Sequence, residues 1–172
     1  MSITLVIGGA RSGKSKYAEQ LAINSQLPVT YVATATALDA EMEARIIHHQ
    51  TRRPVDWALH ECPLDLANLL ENEAQKEHTI LVDCLTLWLN NQLYKDSTQN
   101  FSLLFSELVE AIKDSPAKII LVSNEVGLGI IPLGEVTRQF VDEAGRLNQF
   151  LAQVADQVIF TVAGLPLVLK QA

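Results

Sequence analysis

Gly8-Gly9-Ala10-Arg11-Ser12-Gly13-Lys14-Ser15 follows the spacing G-x-x-x-x-G-K-[ST]. Glycines at both ends let backbone N–H groups turn inward around phosphate oxygens. A helix opening at Lys14 adds partial positive charge at its N-terminus. The lysine would reach the β- and γ-phosphates of a nucleotide, and the Ser15 hydroxyl would bind Mg²⁺. Such a site wants a second acidic group at the end of another strand. Asp83, which closes the apolar run Ile80-Leu81-Val82, is the natural candidate. The same residue could cap the following helix, and the two roles are compatible.

A second cluster is His48-His49, with Arg45 upstream and Arg52-Arg53 downstream. Adjacent helical histidines cannot both face one metal, because helical ligands want i,i+3 or i,i+4 spacing, so zinc is not expected. A neutral imidazole among arginines suits attack on phosphorus. On residue types alone, the plainer reading of a solvated polar helix end stands beside it. Glu61 could meet a ribose or a base edge, and by itself reads as a solvated strand end. His60 and His78 read as structural.

These residues need elements to hold them. Apolar runs at Ile3–Ile7, Val29–Ala33, Thr79–Val82 and Lys118–Val122 read as buried strands. Helices are predicted over 13–25, 39–51, 85–95, 101–114 and 134–155. Another follows Pro63, placed at a helix N1 position, with Leu66, Leu69 and Leu70 at helical spacing. A short strand is predicted over 55–61, and a closing pair of strands over 158–162 and 167–169, around Gly164 and Pro166. Strands and helices alternate, and the strands are continuous rather than alternating in polarity. Both features predict an α/β fold with a mostly parallel sheet and helices on both faces. Ligands then bind at the carboxyl ends of the strands, where the singled-out residues cluster.

At 172 residues, with 48% apolar and 19% charged side chains, the chain reads as one globular domain over 1–172. Its net charge of −7 argues against non-specific binding to nucleic acid or anionic membrane. Cys62 and Cys84 form no C-x-x-C pair and read as buried or half-buried thiols in a reducing cytosol. No stretch is long and apolar enough to span a membrane, and Met1–Gly9 lacks a signal-peptide pattern, so a soluble cytoplasmic protein is expected. The segment Asn124-Glu125-Val126-Gly127 lacks the lysine and aspartate of a guanine-reading N-K-x-D, which argues against a regulatory GTPase. The six arginines form no obvious lid of the nucleoside-monophosphate-kinase type.

Several runs together resemble the bifunctional adenosylcobinamide kinase/adenosylcobinamide-phosphate guanylyltransferase family of cobalamin biosynthesis. They are GGARSGKS at 8–15, YVATA at 31–35, and the D-x-E-M-x-x-R-I-x-x-H-x-x-x-R-P run from Asp39 to Pro54. NEVGLGIIP at 124–132 and AGRLNQ at 144–149 complete them. The resemblance implies a RecA-like P-loop fold, a homotrimer, and two reactions with ATP and GTP as substrates. The first phosphorylates adenosylcobinamide. The second moves GMP from GTP through a histidine onto adenosylcobinamide phosphate. It implies that His49 is the nucleophile. It also implies nucleotide contacts from the phosphate loop, Ala33, Thr34, Ala35, Gln50, Thr51, Arg52, Arg53, Glu61 and Asp83. Two other readings compete: a P-loop small-molecule kinase without nucleotidyl transfer, and a non-enzymatic nucleotide sensor.

Overall fold

The computed structural model describes residues 2–35 and 54–171. The helix expected over 39–51 lies outside the described residues. Seven strands form one sheet: β1 (Ser2–Gly8), β2 (Val29–Ala33), β3 (Ala58–Glu61), β4 (Thr79–Asp83), β5 (Lys118–Asn124), β6 (Gln157–Val162) and β7 (Leu165–Gln171). Five described helices accompany them: α1 (Lys14–Asn24), α2 (Leu66–Glu73), α3 (Leu85–Lys95), α4 (Phe101–Asp114) and α5 (Glu135–Val154). The sheet order is β3-β2-β4-β5-β1-β6-β7. Every neighbouring pair is parallel except β6–β7, which forms an antiparallel hairpin.

Continuous apolar strands serve two cores, because successive side chains point to opposite faces. Leu5, Ile80, Val82, Ile119 and Leu121 face α2 to α5, where Leu66, Leu70, Trp88, Phe105 and Leu147 pack. Val6, Leu81, Ile120 and Ile159 face Ala18 and Ala22 of α1. The expected helices on both faces are therefore observed, with α1 on one and α2 to α5 on the other among the described residues. Trp88, Phe101, Phe105 and Phe150 form a chain of tilted and edge-on aromatic contacts in the larger core, with centroids 5.9–6.5 Å apart.

The connections after β1 and β5 leave towards opposite faces, α1 on one side and α5 on the other. β1 and β5 are sheet neighbours. This is the topological switch point at which a crevice opens beyond the strand ends. The phosphate loop and the loop after Asn124 both border it.

Three expectations change. Residues 55–57 form a turn rather than the start of β3, with the Trp57 N–H donating to the Pro54 carbonyl at 3.3 Å and Val55 fully exposed. Pro63 is not at N1, since α2 starts at Leu66. The Leu64 carbonyl instead accepts from Trp88 Nε1 at 2.7 Å and Gln92 Nε2 at 2.9 Å, tying this turn to α3. β7 is longer than expected and includes Pro166, which an edge strand tolerates because its missing N–H breaks no inner ladder.

Candidate functional site

The phosphate loop links β1 to α1 and is clamped from the far end of the chain. Ser12 Oγ lies 2.8 Å from Thr161 Oγ1, and Thr161 Oγ1 donates to the Ile7 carbonyl at 3.1 Å. The Gly164 N–H donates to the Ser12 carbonyl at 2.9 Å. Lys14 Nζ donates to the Gly9 carbonyl at 3.2 Å, which holds the ammonium against the loop. Arg11 is exposed with φ 56°, and Ala10 is exposed beside it.

Gly13 has φ +97° and no side-chain cap above it, and α1 has no acidic residue in its first turn. Its orphan N–H groups are therefore offered to an anion rather than consumed internally. Gly8 is required for space. A Cβ there would stand 2.3 Å from Thr161 Oγ1 and 2.6 Å from the Thr161 carbonyl oxygen, and no rotamer moves the latter. Gly8→Ala is expected to displace the loop and to weaken nucleotide binding about tenfold or more, the effect of an overpacking cost of about 1–3 kcal/mol. Titration calorimetry with GTP checks this; unchanged affinity would mean that the loop accommodates the methyl group.

At the other side of the crevice the strand ends align. Ala33 pairs with Glu61 of β3 on one flank and with Asp83 of β4 on the other. Tyr31 Oη donates to Asp83 Oδ2 at 3.1 Å, which orients that carboxylate. Glu61 is exposed. Thr34 is fully buried, and its hydroxyl donates to the Cys84 carbonyl at 2.6 Å and accepts from the Cys84 N–H at 3.0 Å. It stands beneath the site as a clasp between the ends of β2 and β4, and its carbonyl accepts from Asn91 Nδ2 at 2.8 Å. Ala35 follows it at the edge of the described segment. His49, Gln50, Thr51, Arg52 and Arg53 lie outside the described residues.

Ser15 and Asp83 present oxygen donors alone, and among the described residues no three His, Cys, Asp or Glu side chains gather to hold a metal. That donor set fits Mg²⁺, which takes one or two protein oxygens and completes its shell with phosphate and water.

Cys84, just after Asp83, is free and buried, as is Cys62. Burial first, and the Asp83 carboxylate second, push the Cys84 thiol from 9.0 up to about 11, while amide N–H groups and Lys14 pull weakly the other way. The folded state thus disfavours the thiolate. Its contribution to stability is complete below about pH 9 and is lost as pH rises towards about pH 11, in all about 2–3 kcal/mol. Urea unfolding across that window should show a steeper loss for the wild type than for Cys84→Ala; parallel curves would contradict this.

Sequence reasoning missed Thr161, whose hydroxyl braces the phosphate loop, because no local pattern connects residues so distant in the chain. It also gave no role to Asn124 and Asn148 beside the crevice. Asn148 Nδ2 donates to the Asn124 carbonyl at 3.4 Å, and the buried Oδ1 atoms of both find no hydrogen-bond partner among the described residues.

The chain and its fold have counterparts among known proteins. The family model described as cobinamide kinase / cobinamide phosphate guanyltransferase matches residues 4–169. The chain belongs to that family. It is 53% identical over 166 residues to the bifunctional adenosylcobalamin biosynthesis protein CobP of Pseudomonas aeruginosa, covering 96% of each chain. It is 40% identical over 179 aligned positions to the bifunctional adenosylcobalamin biosynthesis protein CobU of Salmonella typhimurium, covering 96% of this chain and 98% of that one. The family is one of bifunctional enzymes that transfer phosphorus-containing groups. Among solved structures, the RadB recombinase aligns with a TM-score of 0.54 at 14% identity, over 92% of this chain and 73% of that one. A Pyrococcus horikoshii protein, PH0250, aligns with a TM-score of 0.58 at 9% identity, over 99% of this chain and 88% of that one. The fold of this family member is the RecA-like P-loop fold that the resemblance implies.

Proposed function

We infer that this chain phosphorylates the aminopropanol hydroxyl of adenosylcobinamide with a nucleoside triphosphate and then transfers GMP from GTP to give adenosylcobinamide-GDP. The observation that carries the reading is a G-x-x-x-x-G-K-S loop over the uncapped start of α1, at the β1–β5 switch point of a chain in this family. The whole chain, 1–172, acts as one nucleotide-binding domain.

The phosphate loop, Gly8, Gly9, Ala10, Arg11, Ser12 and Gly13, binds polyphosphate, and Lys14 draws charge from the β- and γ-phosphates. Ser15 and Asp83 would hold Mg²⁺, which neutralises polyphosphate charge when bound. In the kinase step the acceptor oxygen bonds to the γ-phosphorus, the β–γ anhydride bond breaks, and the hydroxyl proton is released. In the second reaction a ring nitrogen of His49 bonds to the α-phosphorus of GTP. The α–β anhydride bond breaks and pyrophosphate leaves. A phosphate oxygen of adenosylcobinamide phosphate then attacks the same phosphorus, breaking the P–N bond and restoring the imidazole. Ala33, Thr34, Ala35, Gln50, Thr51, Arg52, Arg53 and Glu61 surround the guanine nucleotide. The active form is a homotrimer in the cytoplasm. Among the described residues no helix is long and apolar enough to cross a membrane.

Incubation with adenosylcobinamide and ATP, followed by GTP, tests the reading by chromatography of the corrinoid. The phosphate ester should appear first, and the GDP derivative only after GTP is added. No phosphorylated corrinoid would contradict the kinase; a phosphate ester that GTP never converts would leave a kinase alone.

A further inference from the structure

The segment that leaves β5 is apolar, exposed and one hydrogen bond from the phosphate loop. The Glu125 N–H donates to the Gly8 carbonyl at 3.0 Å. Beyond it, Leu128, Ile130, Ile131 and Leu133 each expose at least 77% of their surface, and Val136 at the start of α5 exposes 68%. Tyr94 on α3 exposes 79%. It borders a groove of about 240 Å³ between α3 and α5, which Val136 and the polar side chains of Asn90 and Thr137 also line. Apolar side chains standing free at this density mark a binding surface.

The charge of this surface narrows the occupant. No lysine or arginine occurs between Lys118 and Arg138, whereas Glu125 and Glu135 flank the apolar run. The Arg138 guanidinium is turned onto the Pro132 and Leu133 carbonyls. The run itself is thus apolar and carries no basic group, while its rim is of mixed charge, with exposed Arg138 and Lys95 near Glu125 and Glu135. Such a surface suits a large apolar ligand with polar arms. The acceptor named for this family has that chemistry. An alkylated Co(III) corrin carries a net positive charge, methyl-covered faces and carboxamide side arms.

Resting on the function inferred above, we propose that residues 128–136 with Tyr94 form the corrinoid acceptor subsite. The corrin face lies on Leu128, Ile130, Ile131 and Leu133, and the α3–α5 groove takes one carboxamide arm. The groove is too small for the macrocycle itself, since pockets that enclose whole drug-sized ligands start at about 300 Å³. From this platform the shortest path to the phosphate loop crosses Glu125 to Gly8, so one acceptor can serve phosphorylation and guanylyl transfer without moving to another surface.

Equilibrium dialysis with adenosylcobinamide, read by its visible absorbance and without nucleotide, tests the subsite on the full chain. The I130S/I131S double variant should bind the corrinoid about tenfold or more weakly, since it loses apolar area on two side chains. Its GTP affinity should match that of the wild type. Leu133→Ser, at a position almost wholly in solvent, should weaken the same binding with no change in melting temperature. Equal corrinoid affinity in wild type and both variants would overturn the subsite while leaving the function intact. A change in sedimentation coefficient in the double variant would also overturn it and make this face a contact between copies. A wild-type chain that binds no corrinoid at all would instead overturn the functional reading on which the subsite rests.

Discussion

Lys14→Ala is expected to lower both phosphorylation of adenosylcobinamide and guanylyl transfer, each by about 10²–10³-fold. The ammonium lies against the phosphate loop through the Gly9 carbonyl at 3.2 Å, so it is already placed where a polyphosphate docks on the uncapped start of α1. Both reactions break a phosphoanhydride bond and push charge onto the departing phosphate, and a fixed cation is worth most where water is excluded. Steady-state rates for the two half-reactions, with circular dichroism as a control, check this. If only one activity fell, the two reactions would use separate nucleotide sites, and a single crevice could not account for them.

The second large effect is selective. His49→Ala should abolish guanylyl transfer, by at least about 10⁴-fold, and leave the kinase rate close to that of the wild type. Phosphorylation needs only the loop, the acceptor and the oxygen donors at the strand ends. Guanylyl transfer needs a nucleophile that can release GMP again, and imidazole forms a P–N bond labile enough to do so. Assay of the variant with adenosylcobinamide phosphate and GTP gives the loss, and assay with adenosylcobinamide and ATP gives the retention. Loss of both activities would assign His49 to binding or folding rather than to attack on phosphorus.

Much of this architecture is legible along the chain because it is local. β1, β4 and β5 are runs of β-branched and aliphatic residues, buried on both faces, and such runs have few alternatives. The helix expected over 101–114 forms as α4, and Asn100 caps it by accepting from the Leu103 N–H at 3.1 Å. The phosphate loop announces itself because glycine spacing, lysine and hydroxyl all serve one ligand. What stays hidden is long-range. Thr161 braces Ser12 across 149 positions. Thr34 spends its hydroxyl on Cys84 rather than on a ligand, and nothing in the sequence around it signals that. The start of α2 is displaced from Pro63 because the Leu64 carbonyl is taken by side chains of α3. Glu61 and Asp83 become one feature only through the sheet order, which places Ala33 between them. The role of the His48-His49 segment rests on family resemblance, since its residue types alone also describe a solvated helix end.

The central claim is a covalent nucleotide on His49, and intact mass spectrometry after incubation with Mg-GTP and no corrinoid tests it most directly. The wild-type chain should gain the mass of one GMP, lose it in acid and lose it again when adenosylcobinamide phosphate is added, while His49→Ala gains nothing. An unmodified wild-type chain that still binds GTP, or an equal adduct on His49→Ala, would contradict the histidine intermediate.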